Sequence, residues 1–337
     1  MTLPTVNRTY RRTADGKSIE LIEEPLSYNL KPNQALIKIH AVSLNYRDIA
    51  MLSGAYPVPV IKQGIPCSDA AATVVAVGSA ATKVKIGDYV TPSFQTNFLT
   101  GTEKHAGMAA LGGDVEGVLR EYAVFDADIL TKVPEHLSYE EAATIACAGV
   151  TAWTALDMGR PLKADSALLQ GTGGVSMFAL ILCIAAGIKP IITSSSDDKL
   201  NQVKQLGSRE NPVLGINYST HPDWDVEAKK LTDDLGVDVV VNNVGAAAIE
   251  KCINVLVRRR GTISLVGFLG GMPDQKDLPD CVIPLMMKFA KMQYVWDKCF
   301  SAVLRVLLAN CALGVSVLDL LRISKTFAIS SKSTKWT

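Results

Sequence analysis

Apolar and polar residues alternate along "QALIKIHAVSL" (34–44), the two-residue period of a half-buried strand. "AAATVVAVG" (70–78) runs apolar into a glycine, and "IGDYVTPSF" (86–94) turns on Gly87-Asp88. Short strands at this spacing, from residue 17 to about 130, predict a compact β-rich barrel or sandwich. The loop from Gln95 to Gly117 holds Gly101, Gly107, Gly112, Gly113 and Gly117 and is expected to be exposed and mobile.

The period changes near Pro134. "HLSYEEAATI" offers Ser138 as a helix cap with Glu141 three residues on, a capping box. From Ser166 strands and helices alternate: "SALLQ" (166–170) with a helical run 175–186, "PIITS" (190–194) with 197–206, and "VDVVVNNVG" (237–245) with 247–257. "GTISLVGFLGG" (261–271) follows. Strands this continuously apolar are covered on both faces, which predicts a parallel, doubly wound sheet.

Composition narrows the function. The 337 residues suffice for two domains, and 34 Lys plus Arg against 33 Asp plus Glu leave a net charge of +1. These charges are scattered, so no footprint for nucleic acid is present. No positive-then-apolar leader opens the chain, and its start is read as mature sequence. Seven cysteines (67, 147, 183, 252, 281, 299, 311) lie far apart with no C-x-x-C, which suits reduced thiols in a cytoplasmic protein. Four histidines, at 40, 105, 136 and 221, show no metal-ligand spacing, so no metal site is expected.

The chemistry concentrates in "LLQGTGGVSMFAL" (168–180), between a strand and a helix. Gly171 allows a tight turn, and Gly173 lets the backbone approach a pyrophosphate at the helix N-terminus. Thr172, Gly174 and Val175 complete that turn, and Ser176 replaces the third glycine of G-x-G-x-x-G. The second strand ends in Thr193, Ser194, Ser195 and Ser196, with Lys199 one turn on. Neutral donors plus a cation suit a ribose 2′-phosphate, whereas NAD sites usually carry an acid there. NADPH is therefore favoured over NAD, with Asp197 and Asp198 read as first-turn anions of the next helix.

With this turn reached, the chain resembles the medium-chain dehydrogenase/reductase superfamily. "AVSLNYRDIAMLSG" (41–54), "GIPCSDAAATVVAVGSAATKVKIGDYV" (64–90), "EEAATIACAGVTAWTAL" (140–156) and "GTGGVS" carry the likeness in order and spacing. It implies a GroES-like β-rich N-terminal domain (1–130) and a Rossmann NADP-binding domain (131–295). Zinc-dependent members hold their metal with a Cys, a Gly-His-Glu motif and a later Cys. Laid on this chain, those positions are Asn45, Cys67-Ser68-Asp69 and Cys147. The resemblance is closest to the zinc-free, quinone-oxidoreductase-like and enoyl-reductase-like branches. It also implies Thr151, Val266 and Phe268 beside the nicotinamide, Tyr218 near the adenosine phosphate, and a homodimer through the Rossmann sheet edge.

Without a metal, hydrogen-bond donors must stabilise charge on the substrate oxygen. Asn45 and Tyr46 are the candidate donors, and Asp48 orients Arg47 or Tyr46 or caps a helix starting near Ile49. Such donors suit a delocalised enolate, so the leading reaction is reduction of an activated C=C in a small-molecule enone, enoyl ester or quinone. The alternatives are a catalytically silent NADPH-binding relative and an alcohol dehydrogenase-type carbonyl reductase. Residues 296–337 depart from the family pattern. Their apolar run 300–321 carries two charges and an amide, and is read as a buried or partner-seeking helix rather than a membrane span.

Overall fold

A computed structural model of the chain describes residues 4–26, 29–100, 103, 105–158, 164–257, 259–271, 281–295 and 328–330. The chain forms two compact units, the first running through Val150 and the second opening at Thr151.

In the first unit, β1 (Val6–Arg12) and β2 (Ile19–Pro25) form an antiparallel pair. The larger sheet is built on β3 (Gln34–Ser43), which exposes Lys38 but buries Leu36 as well as Ala35, Ile37 and Ile39, so the expected alternation holds only in part. The short helix α1 (Tyr46–Leu52) follows it at once. β4 (Asp69–Val77), β5 (Tyr89–Pro92) and β7 (Leu130–Lys132) extend the sheet from one edge of β3, and β6 (Tyr122–Asp126) pairs its other edge along 34–38. Ile65, Val74, Val90, Leu111, Val118 and Leu130 fill the core.

The expected exposed loop at 95–117 is only partly so. Residues 105–108 are exposed, but Ala109–Gly113 are buried, because Thr96 N–H bonds to Ala109 O (3.1 Å) and Leu111 N–H to Phe94 O (3.0 Å).

Helix α2 (Tyr139–Ala143) packs on β3 and β4, so the first unit extends past residue 130. Its capping box is present: Ser138 N–H donates to Glu141 Oε2 (2.8 Å), and Glu141 N–H donates to Ser138 Oγ (3.2 Å). The chain then winds through a π turn, Ile145–Gly149, into α3 (Val150–Ala155).

The second unit is a parallel six-stranded sheet of β8 (Ser166–Leu169), β9 (Lys189–Ser194), β10 (Leu214–Asn217), β11 (Val239–Asn242), β12 (Thr262–Leu265) and β13 (Lys291–Tyr294). Their order is β10-β9-β8-β11-β12-β13, and every neighbouring pair is parallel. Between them run α4 (Gly174–Ala186), α5 (Asp197–Lys204), α6 (Trp224–Lys230), α7 (Ile249–Val255) and α8 (Val282–Met287). Leu168, Ile191, Val240 and Ile263 are buried from the sheet, and Ile249, Cys252 and Ile253 of α7 pack with them. The strand order reverses between β8 and β11, which opens a crevice at their carboxyl ends. This is the GroES-like plus doubly wound architecture that the sequence predicts.

Of the atypical segment 296–337, only Ala328–Ser330 is described, and the apolar run 300–321 lies outside the described residues. Those three residues form β14, antiparallel to β3 with Ala328 opposite Ser43 and Ser330 opposite Ala41. The tail therefore supplies a closing strand to the first sheet. No helix among the described residues is long and apolar enough to cross a membrane.

Removing the cap that starts α2 is expected to cost about 1 kcal/mol, so Ser138→Ala should lower the urea midpoint of the first unit without changing the slope.

Candidate active site

The first set of site residues gathers where β3 ends. Asn45 is extended (φ −112°, ψ 158°) and caps α1, so that helix begins at Tyr46 and not near Ile49. Asn45 N–H donates to Asp48 Oδ2 (2.8 Å), which makes Asp48 the reciprocal cap rather than a solvent-facing base. The Asn45 amide approaches Asp69, yet its Nδ2 is buried without a well-formed hydrogen bond. The nitrogen predicted to meet substrate thus faces a protein carboxyl. Tyr46, by contrast, is 48% exposed.

Asp69 lies at the start of β4 and is wholly buried. Ser68 Oγ donates to its Oδ1 (2.5 Å), and Cys147 N–H in the π turn donates to its Oδ2 (3.1 Å). One carboxyl therefore joins all three sequence-separated segments, those of Asn45, Cys67-Ser68-Asp69 and Cys147. Burial pushes the Asp69 carboxyl up to about 6, against the pull of Ser68 and Asn45. Cys67 holds φ +66°, a left-handed backbone that an L-residue adopts at a cost. Its thiol is buried and pushed well up by desolvation.

Two buried guanidinium groups flank this cluster, which sequence reasoning did not assign. Arg47 Nη1 donates to Leu111 O (2.9 Å), and its guanidinium lies 4.6 Å from the Phe94 ring centre and 5.6 Å from that of Tyr56. Arg12 Nη2 donates to the next carbonyl, Gly112 O (2.5 Å), and to the Met51 sulfur. Arginines are read as surface residues from sequence, so only the apolar context of "SLNYRDIAML" signalled Arg47.

The second set lies at the carboxyl ends of the parallel strands. Gly171 takes φ +78°, and a Cβ there or at Gly173 would meet nothing, so the turn before α4 is open to a ligand. Thr172 is buried within it, while Gly174 and Val175 begin α4, whose first amides have no carbonyl before them. Ser176 does more than fit in place of a glycine. Its hydroxyl donates to Gln170 O (2.8 Å) and accepts from Asn243 Nδ2 (2.8 Å), which fixes the turn to the end of β11. Asn243 escaped notice in the sequence, though two adjacent amides ending an apolar strand were its signal.

Ser194, Ser196, Lys199 and Tyr218 converge at the ends of β9 and β10. Ser196 N–H donates to Ser194 Oγ (3.2 Å), Lys199 N–H to Ser196 Oγ (3.4 Å), and Tyr218 N–H to Ser194 O (3.0 Å). Asp197 Oδ1 accepts from Asn217 Nδ2 (2.9 Å), so this first-turn acid already has a partner. Val266 and Phe268 follow β12, half-buried, with Val266 N–H on Asn242 O (2.9 Å). Thr151 is buried in α3, which Ser264 Oγ ties to β12 through Ala155 O (2.7 Å).

Two family models match the chain: the alcohol dehydrogenase GroES-like domain over residues 31–135 and the zinc-binding dehydrogenase over 174–296. A zinc-type alcohol dehydrogenase-like protein of Schizosaccharomyces pombe is 36% identical over 278 residues, covering 81% of this chain and 79% of its own. A solved Sinorhizobium meliloti 1021 structure described as an alcohol dehydrogenase is 31% identical, covers 94% of this chain and 91% of its own, and has a TM-score of 0.83. A zinc-binding dehydrogenase from the same organism, solved bound to NADP, shares the fold at 16% identity, with 92% of this chain and 90% of its own covered and a TM-score of 0.75.

The zinc in these descriptions can be tested on the donors present. Asn45 offers an amide, Ser68 gives its hydroxyl to Asp69, and both Asp69 oxygens are engaged. Zinc sites need three protein ligands drawn from thiolate, imidazole and carboxylate. Among the described residues no group of three such side chains is placed to hold a metal, and the set at Asn45, Ser68 and Cys147 does not fit one.

Asp69 gives the fold a pH dependence whose sign is fixed. Its folded value near 6 lies above the ordinary 3.8, so the fold favours the neutral form. Stability from this group is present below pH 4 and is lost as pH rises towards 6, by roughly 2–3 kcal/mol. Asp69→Asn should flatten that part of the curve in urea unfolding between pH 4 and 7. An unchanged slope would place the raised carboxyl elsewhere.

Proposed function

The chain belongs to the medium-chain dehydrogenase/reductase superfamily, and from that premise we propose that it is an NADPH-dependent, zinc-independent reductase of an activated C=C. Its substrates would be small enones, enoyl esters or quinones. The observation that carries the cofactor reading is the end of β9. The backbone N–H groups of Lys199 and Tyr218 bond there to Ser196 and Ser194, and Asp197 accepts from Asn217. A 2′-phosphate would find hydroxyl donors and a cation at that edge.

When bound, the nicotinamide supplies a hydride to the electrophilic carbon. The chain's own residues do the rest. Gly171 and Gly173 admit the pyrophosphate to the open turn, where the first amides of α4 meet it. Thr151, Val266 and Phe268 form the wall for the ring. The Tyr46 hydroxyl donates a hydrogen bond to the substrate carbonyl oxygen, where charge develops, and the resulting enolate takes its proton from water. Asn45 and Asp48 hold Tyr46 in place by capping α1 from both directions. A cytoplasmic setting accords with the five described cysteines, none of which forms a disulfide.

The second reading, a silent NADPH-binding relative, rests on the unusual sequence of 296–337. Fluorescence titration with NADPH, then absorbance with a panel of enones and quinones, separates the two. Oxidation of NADPH is expected, and binding without oxidation would leave the silent reading. Lys199→Ala should weaken NADPH about tenfold and leave NADH within a factor of two, as for one charge-assisted contact worth about 1.4 kcal/mol. Tyr46→Phe should lower kcat roughly 10–100-fold with NADPH affinity intact, measured by initial rates and titration in parallel.

A further inference from the structure

Zinc-dependent members of the superfamily place a divalent cation where this chain has Asn45, Cys67-Ser68-Asp69 and Cys147, and the donors here do not fit one. The spot nevertheless holds permanent positive charge. Arg47 is 91% buried, two residues beyond Asn45, and no other side chain of α1 carries a cation. It is fixed from several sides: its Nη1 on Leu111 O, its plane against Phe94 and Tyr56, and Gly113 packed so close that a Cβ would stand 2.8 Å from Nη2. Tyr56 also hydrogen-bonds the guanidinium, while Nε and Nη2 lack a partner of good geometry.

We propose that Arg47 is the built-in cation of this site: its guanidinium, held rigid by Leu111 and the two aromatic rings, supplies the positive field that a metal supplies in zinc-dependent relatives, and it favours substrates whose oxygen becomes anionic. A fixed charge of this kind acts over several ångströms and needs no reorganisation as the reaction proceeds. The groups around it support this. Arg47 interacts electrostatically with Cys147, and Asp69 in turn with Arg47. The cluster contains a second guanidinium, Arg12, and two carboxyls, Asp48 and Asp69. Burial pushes both carboxyls upward, towards their neutral forms. An arginine stays charged throughout, whatever the state of these carboxyls. Arg47 acts here as a positioning residue, since its buried nitrogens reach substrate through their field.

The inference rests on the reductase reading but is tested apart from turnover. 4-Nitrophenol serves as the probe, because its ring and oxygen mimic an enolate and its ionised form has its own absorbance band. Bound to the full-length protein loaded with NADP+, it should be ionised about one pH unit below the point at which the free phenol ionises. Arg47→Met should abolish that shift, a roughly tenfold loss of the ionised form, and Arg47→Lys should retain part of it. Should Arg47→Met fail to fold, Arg47→Gln is the second variant: it keeps a donor for Leu111 O, removes the charge and should abolish the shift equally. Treatment with a chelator should also change nothing. Neutral binding, no binding, a shift that persists in Arg47→Met, or one that a chelator removes would overturn the proposal. Ionised phenol without oxidation of NADPH by any enone would keep the cation and remove the reductase reading; turnover with neutral phenol would do the reverse.

Discussion

A single buried carboxyl organises the first unit's site. Asp69 receives the Ser68 hydroxyl and the Cys147 amide and lies against the Asn45 side chain, so three segments remote in sequence are pinned to one point. Burying a carboxyl this completely is costly, and the protein offsets the cost with donors rather than with a counter-ion in contact. Within the π turn, Cys147 N–H is directed to this strand residue. A proton-sensitive network thus holds these segments together.

The second unit solves a different problem. On the proposed function its crevice receives a large polyanion without burying unpaired polar groups beforehand. The turn at Gly171–Gly173 is kept open, while everything behind it is tightly bonded: Ser176, Gln170 and Asn243 close a network beneath the turn. Rigid support behind an open backbone is the arrangement that lets amides meet a pyrophosphate without paying for ordering at that moment.

Much of this was legible in the sequence. The parallel sheet announced itself because β8, β9, β11 and β12 are continuous apolar runs, and the capping box at Ser138 fixed a helix start. The strands that escaped were the outer ones. β10 reads "LGIN" and β13 "KMQY", four residues each with too few apolar positions to show a period. The Asn45 cluster was recognised as special, but its inner geometry was not. Which side of an amide faces a pocket depends on Asp69, which lies 24 residues further along the chain. Buried arginines such as Arg47 and Arg12 leave no mark in a hydrophobic pattern, since their burial is set by carbonyls of the Leu111–Gly112 turn. The same two contacts explain why that glycine-rich stretch is held down where sequence suggests a free loop.

The strand Ala328–Ser330 lies beside the part of β3 that leads directly into Asn45. During synthesis β3, β4 and α1 leave the ribosome long before this partner exists. The backbone of Ala41–Ser43 must wait with one edge unpaired while the whole parallel sheet is made. An apolar edge in that condition invites pairing with other chains. Completion of the first sheet therefore waits on residues made after the second unit, and a helper that shields nascent edges would improve the yield of folded protein more than any change to the crevice.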